Sequence, residues 1–132
     1  MTEEYVERLR GAYEAFHEGG VEAILDRVAP DFEVRDRDSA PDRSTLVGGE
    51  GILELVRLNM EVFDELEFEP IEFVDRGDIV IVVLRMRIRG RSSGVAIDSE
   101  AVHVWEFSEG RAIRMQIHAD RRRALEALGL EG

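Results

Sequence analysis

The feature that most constrains this chain is IVIVVL, residues 79–84, an uninterrupted run of apolar and mostly β-branched residues. This composition is typical of a strand, and because strand side chains alternate between two faces, both faces of this strand are apolar. Such a strand is covered by protein on both sides. The chain has too few helices to supply two covering layers. The sequence therefore predicts that a second copy covers one face and that the protein is a homodimer.

Further strands surround this run and give the fold class. The pattern predicts three long strands and a shorter fourth, at residues 66–74, 79–89, 95–107 and 112–119. An earlier strand is expected at residues 32–36. Helices are predicted from Thr2 to Gly19-Gly20, over residues 21–28, from Ile52 onwards and after Asp120. Helices that gather on one side of an antiparallel sheet make an α+β fold.

Size, charge and residue usage narrow the class of function. At 132 residues we expect a single domain over residues 1–132. The formal net charge of −12 repels phosphate and anionic lipid, so we expect neither nucleic acid nor membrane as a partner. The absence of cysteine and of clustered histidines argues against a metal, and no cofactor motif is present. A cytoplasmic protein that binds a small apolar ligand fits best.

A histidine in an apolar hairpin is the first candidate functional residue. The segment HVWEFSEGRAIRMQI, residues 103–117, predicts two strands joined by a three-residue Ser-Glu-Gly turn. This register places His103 opposite Met115 and beside Trp105, on a face that is otherwise apolar. His103 is either a neutral hydrogen-bond donor in a pocket or a core histidine held by a backbone or tyrosine partner.

Other residues share this apolar environment. On the third helix, Asn59 interrupts an apolar stripe and either lines a pocket or bonds a neighbouring loop. The remaining pocket candidates are aromatic or apolar side chains that would otherwise be core: Tyr13, Phe16, Trp105, Met115 and Ile117.

Five stretches, in their order and spacing, carry a resemblance to a known family: AFHEGGVEAILDRVAPDFEV, VGGEGI, RSSGV, HVWEFSEGRAIR and DRRRALEALGL. With them, nearly the whole chain resembles the nuclear transport factor 2-like superfamily, in its SnoaL-like and ketosteroid isomerase-like branch. The resemblance implies a cone, in which a curved antiparallel sheet packs on three to four helices around an internal apolar pocket. It also implies a dimer.

The resemblance implies roles for two residues as well. In ketosteroid isomerases a carboxylate near the end of the first strand moves a proton beside the substrate carbonyl, and Asp36 matches it. The isomerases also carry a protonated aspartate that donates a hydrogen bond, and His103 matches its position. SnoaL-like polyketide cyclases are similar in having a histidine at this second position. The first-helix tyrosine of the isomerases matches Ala12, and the last-strand acid of the cyclases matches Ile117.

Two functions from different classes follow. One is a small isomerase or cyclase, in which Asp36 moves a proton α to the carbonyl of a steroid- or polyketide-like substrate and His103 donates to its oxygen. The other is a non-catalytic ligand-binding or accessory domain, in which Asp36 is a solvated carboxylate paired with Arg35 or Arg37.

Overall fold

The computed structural model describes residues 2–36 and 46–129. Nine helices and strands make up this part of the chain, apart from two short 3-10 turns. In chain order they are α1 (Thr2–Gly19), β1 (Glu33–Asp36), β2 (Leu46–Val47), α2 (Gly48–Val62), β3 (Phe63–Arg76), β4 (Ile79–Gly90), β5 (Ala96–Ser108), β6 (Arg111–His118) and α3 (Arg121–Ala127). No helix in this described part is both long enough and apolar enough to cross a membrane.

The six strands form one sheet in the order β2-β1-β6-β5-β4-β3. Strands β3 to β6 are antiparallel neighbours, as predicted, and β1 joins β6 in a parallel pair. The α+β fold class is confirmed, with a mixed rather than wholly antiparallel sheet. A parallel pair needs a long connection between its strands, and here the connection between β1 and β6 contains β2, α2 and β3 to β5.

Two helix predictions need correction. Residues 21–28 form two 3-10 turns, Val21–Ala23 and Leu25–Arg27, because the short segment between Gly20 and Pro30 is too brief to nucleate a stable α-helix. Helix α2 begins at Gly48 rather than at Ile52, within the stretch predicted to be a loop. Its first turn is rich in glycine, the residue least typical of helix interiors after proline, and this concealed it. Residues 37–45 of that predicted loop lie outside the described residues.

Helix α2 also ends earlier than its apolar stripe suggests. The stripe continues to Leu66, but the helix stops at Val62 and β3 starts at Phe63. The Arg91 guanidinium donates to the carbonyl of Met60 at 2.7 Å, and the Arg91 backbone N–H donates to that of Val62 at 2.9 Å. These bonds satisfy carbonyls that the helix end leaves open, so a tertiary contact fixes the boundary.

Both faces of β4 are covered within one chain. On the inner face, Val80, Val82 and Leu84 pack with residues of α1. On the outer face, Ile81 and Val83 pack with Ala124 of α3, which has no exposed surface. The two-sided burial of β4 is as predicted, but the reason given for a homodimer is wrong. The final helix supplies the second layer.

The hairpin between β5 and β6 is tighter than predicted. Ser108 pairs with Arg111 across a two-residue turn, in which Glu109 and Gly110 both have positive φ. Further along, Ile113 is left unpaired by a register shift, so His103 pairs with Ile117 and not with Met115. The predicted register is therefore wrong by one residue next to the turn, where Phe107 pairs with Ala112, and by two residues at His103.

Candidate ligand-binding cavity

A cavity of about 520 Å³ lies between α1, α2 and the inner face of the sheet, the face that carries His103. Its volume falls within the range of small-molecule sites, and most of its wall is apolar. The residues singled out from the sequence on α1, α2, β5 and β6 all lie on this wall: Tyr13, Phe16, Asn59, His103, Trp105, Met115 and Ile117. The two-residue register error leaves them together because an even shift preserves the face.

A buried hydrogen-bond chain crosses the cavity wall. The indole N–H of Trp105 donates to the Tyr13 hydroxyl oxygen at 2.9 Å, and that oxygen lies 2.6 Å from Nδ1 of His103. Tyr13 lies on α1, whereas His103 and Trp105 lie two positions apart on the inner face of β5. The tyrosine therefore ties the first helix to the sheet through polar as well as apolar contacts.

The bonds at the Tyr13 hydroxyl favour one tautomer of His103. An indole N–H only donates, so Trp105 uses a lone pair of the Tyr13 oxygen. Among the described residues the Tyr13 hydroxyl has one acceptor, Nδ1 of His103. The ring proton of a neutral His103 then sits on Nε2, which has no hydrogen-bond partner within the described part of the chain. This tautomer makes His103 a candidate N–H donor to the cavity that it lines.

Burial determines the charge of the His103 imidazole and the Tyr13 hydroxyl. Desolvation lowers the pKa of His103 to about 3, and the positive charge of nearby His118 lowers it further. Burial also raises the pKa of the Tyr13 hydroxyl well above its ordinary value, against the lowering effect of the bond from Trp105. Both groups are therefore neutral at physiological pH. His103 is suited to hydrogen-bond donation and not to supplying a full positive charge.

Aromatic rings hold the imidazole in place. The ring of Phe68 on β3 meets the His103 ring edge to face, with centroids 5.3 Å apart, and the Tyr13 ring stacks at 5.8 Å. Only 4% of His103 is exposed. The ring is thus confined on several sides, and rotation of its Nε2–H away from the cavity is opposed by packing.

Asn59 is held within its own helix. Its side-chain amide nitrogen donates to the Leu55 carbonyl at 2.8 Å, one turn earlier in α2. Since a carbonyl only accepts, the nitrogen faces Leu55, and the side-chain oxygen Oδ1 has no hydrogen-bond partner among the described residues. Asn59 is among the residues around the cavity, and its described bond is to its own helix and not to a neighbouring loop.

The backbone of Asp36 lies in the same row of the sheet as His103. Asp36 pairs with Ile117 across the parallel β1–β6 ladder, and Ile117 pairs with His103 across β5–β6. Two strand spacings separate the Cα atoms of Asp36 and His103 by about 10 Å. The side chain of Asp36 lies outside the described residues. Of its two predicted ion-pair partners, Arg35 donates to Glu33 at 3.0 Å, and Arg37 is outside the described residues.

Sequence reasoning missed the specific role of Tyr13. It was predicted only as a pocket or core aromatic residue, although a tyrosine partner for His103 was one alternative. The available signal was a single hydroxyl on the apolar face of α1. His118 pairs with Val102 and so lies on the opposite sheet face from His103. Within residues 2–36 and 46–129, no three metal-ligating side chains gather in one place.

The fold and the cavity together first define the class of protein. A mixed sheet packed on helices around an apolar cavity is the nuclear transport factor 2-like fold, and solved structures of that fold superpose on nearly the whole chain. The model of the SnoaL-like domain family then matches residues 9–115. The chain belongs to the SnoaL-like domain family. No curated protein matches its sequence.

Three similar structures illustrate the relationship. A nuclear transport factor 2-like protein of unknown function from Burkholderia pseudomallei is 26% identical, with a TM-score of 0.76 over 92% of this chain and 94% of that one. TerC, co-crystallised with polyporic acid, is 26% identical with a TM-score of 0.76 over 93% and 95%. A ketosteroid isomerase-like fold from Catenulispora acidiphila, in complex with trimethylamine, is 13% identical with a TM-score of 0.68 over 91% and 93%. The last likeness concerns the fold alone.

Proposed function

We propose that this protein binds a small apolar molecule through its carbonyl group and catalyses proton transfer at the carbon beside that carbonyl. The observation that carries the proposal is the buried chain from Trp105 through Tyr13 to His103, which ends in an Nε2–H on an apolar cavity wall. A ligand without an acceptor leaves this donor desolvated and unpaired, which costs binding energy. A carbonyl oxygen satisfies it.

The same donor favours the reaction intermediate over the substrate. When a base removes a proton from the carbon α to the carbonyl, negative charge moves onto the oxygen. The Nε2–H of His103 then donates to an enolate instead of a neutral carbonyl, and this bond strengthens as charge develops. Because the imidazole is neutral and fixed by Tyr13, it supplies this stabilisation without giving up its proton.

Asp36 is the proposed base. Its backbone stands in the row of His103 and Ile117, two strands from the donor. A carboxylate in that row takes the α proton and returns it to another carbon in an isomerisation, or leaves a carbon nucleophile for ring closure in a cyclisation. Membership of the SnoaL-like family and the polyporic acid co-crystallised with TerC support a cyclic carbonyl compound as the ligand.

A second candidate is a ligand-binding protein without catalysis. Among the described residues that line the cavity, Glu100 is the one carboxylate, and it accepts the Arg121 backbone N–H at 3.1 Å, beside α3 on the outer face. The one carboxylate on the described part of the wall is therefore engaged on the outer face, away from His103. This function needs the cavity and His103 but not Asp36.

Binding and deuterium exchange separate these functions. Trp105 is the one tryptophan in the sequence and lies on the cavity wall, so its fluorescence reports binding. The ligand panel contains testosterone, androstenedione, tetralones and polyporic acid. Mass spectrometry in heavy water then follows deuterium uptake α to the carbonyl of bound ketones. We expect exchange with the wild type and none with Asp36→Asn. Binding without exchange above the uncatalysed rate supports the non-catalytic function, and a panel that never perturbs Trp105 contradicts both.

A further inference from the structure

The cavity wall holds a hydrogen-bond acceptor as well as the donor of His103. Asn59 lies on α2 and His103 on β5, so the two polar groups stand on different walls of one apolar cavity. The Asn59 amide nitrogen is committed to the Leu55 carbonyl at 2.8 Å. Its Oδ1 has no protein partner among the described residues.

From this arrangement we infer that Asn59 is a specificity-determining residue that selects ligands carrying a hydroxyl group in addition to the carbonyl. The hydroxyl donates to Oδ1 of Asn59, while the carbonyl accepts from Nε2 of His103. The substrate class is thus an apolar hydroxy-carbonyl compound. This inference rests on the proposed function, because it takes the carbonyl contact with His103 as given.

The protein contacts of Asn59 and His103, and not the ligand, determine which of the two groups is the acceptor and which is the donor. Leu55 presents only an acceptor, so the Asn59 amide cannot turn its nitrogen to the cavity without breaking that bond. Tyr13 likewise keeps Nδ1 of His103 occupied. A ligand with acceptors at both positions leaves Oδ1 facing a second oxygen, unpaired and partly desolvated, and sites built around a donor–acceptor pair reject such mismatches.

The other polar side chains on the wall do not replace Asn59 in this role. Ser99 lies on the inner face of β5, but a hydroxyl both donates and accepts and so imposes no direction on the ligand. The Glu100 carboxylate accepts from the Arg121 backbone N–H. The side chain of His118 lies on the outer face, 3.2 Å from Gln116. The fixed acceptor in the described part of the wall is Oδ1 of Asn59.

Matched ligand pairs test this selectivity. Hydroxytetralone and its methyl ether, methoxytetralone, share a ketone, but only the first has a hydroxyl donor. In a longer pair of ketones, testosterone has a hydroxyl group where androstenedione has a second carbonyl. Titrations followed by Trp105 fluorescence should give the hydroxyl member of at least one pair a roughly 3- to 10-fold lower Kd in the wild type, the range expected for one hydrogen bond. Asn59→Leu, in which the new side chain is of similar size, should abolish the preference, so that the two members of a pair bind with about equal Kd.

Two control variants make the result specific. Ser99→Ala should retain the preference, because Ser99 is not the selecting acceptor. His103→Leu should weaken both members of a pair by a similar factor and retain their ratio, since both carry the ketone. Equal affinities within both pairs for the wild type, a preference that survives in Asn59→Leu, or one lost in Ser99→Ala overturns the inference. If no member of either pair binds the wild type, the proposed function fails instead.

Discussion

The hydroxyl oxygen of Tyr13 lies 2.6 Å from Nδ1 of His103, although 90 residues separate them in the chain. This bond joins α1 to the middle of β5 and leaves Nε2 of His103 as the ring atom that carries a proton. It holds the imidazole in the packed interior, as the alternative of a core residue with a tyrosine partner predicts, and at the cavity wall. The alternative of a pocket donor stays a prediction, which the NMR measurement below tests.

The energetic coupling of this pair is open to a double-mutant cycle. Tyr13→Phe removes the hydroxyl and leaves Nδ1 of His103 and the Trp105 N–H without their partner, so we expect a loss of about 1–3 kcal/mol in the free energy of unfolding. His103→Leu leaves the Tyr13 hydroxyl unpaired, with a similar cost. The double variant should lose less than the sum, by about 0.5–3 kcal/mol. Additive losses in urea unfolding would show that the bond does not contribute.

Acid should destabilise the protein in part through His103. Its pKa is lowered to about 3 in the fold, whereas an unfolded histidine titrates near 6.5. Between pH 6.5 and about 3, His103 therefore binds a proton in the unfolded chain but not in the folded chain. The stabilising contribution is complete above this pH and falls by about 1.4 kcal/mol per pH unit as the pH drops towards 3.

The pH dependence of His103→Leu isolates this effect from the titration of carboxylates. Its unfolding free energy, measured in urea between pH 7 and 4, should fall less steeply than that of the wild type. His17→Gln removes an exposed histidine from α1 and serves as the control for the loss of one imidazole. Parallel curves for wild type and His103→Leu would mean that His103 takes up its proton equally in both states.

Much of the fold was predictable because its signals are local. Strand alternation, the two-sided run in β4 and the Asp120 cap are features of a few consecutive residues, and the Asp120 side chain accepts the Arg123 backbone N–H at 2.9 Å. Helix α2 was less visible, because Gly48 has a φ of 70° and a side chain at Gly51 would collide with Leu46. Packing there requires glycine and overrides helix propensity.

The site was predictable as a surface but not as a hydrogen-bond network. Alternation placed His103 and Trp105 on one face of β5, and Met115 and Ile117 of β6 join that face despite the wrong turn type, because the register error at these pairs is even. The bond from Tyr13 depends on how α1 docks on the sheet, which no local pattern specifies. Placement of α3 over Ile81 and Val83 is a tertiary result of the same kind, and missing it led to the wrong argument for a dimer.

The role of α3 as the second covering layer is testable by substitution. Ala124 is fully buried against the outer face of β4 and β5. Ala124→Asp places an unpaired charge there and should cost about 3–5 kcal/mol in the free energy of unfolding. Glu126→Ala, on an exposed part of the same helix that pairs with Arg122, should change it by less than about 1 kcal/mol. A mild effect of Ala124→Asp in thermal melts would argue against tight docking of α3.

We still predict a homodimer, now for a different reason. Several large apolar side chains remain exposed in the single chain, among them Val62, Val95 and Ile97, each by more than half. A specific interface of at least about 1,000 Å² that includes some of them would lower this exposure. Light scattering at micromolar concentration should give twice the mass of one chain. The mass of a single chain under these conditions would contradict the prediction.

The central claim is that His103 meets the ligand carbonyl with a proton on Nε2. Proton–nitrogen NMR spectra of the imidazole, recorded at neutral pH with and without hydroxytetralone, test it most directly. We expect a protonated Nε2 and an unprotonated Nδ1 in the free protein, and a shift of the Nε2 proton to lower field when a carbonyl oxygen accepts it. A proton on Nδ1, or an Nε2 resonance that does not move while Trp105 fluorescence reports binding, would contradict it.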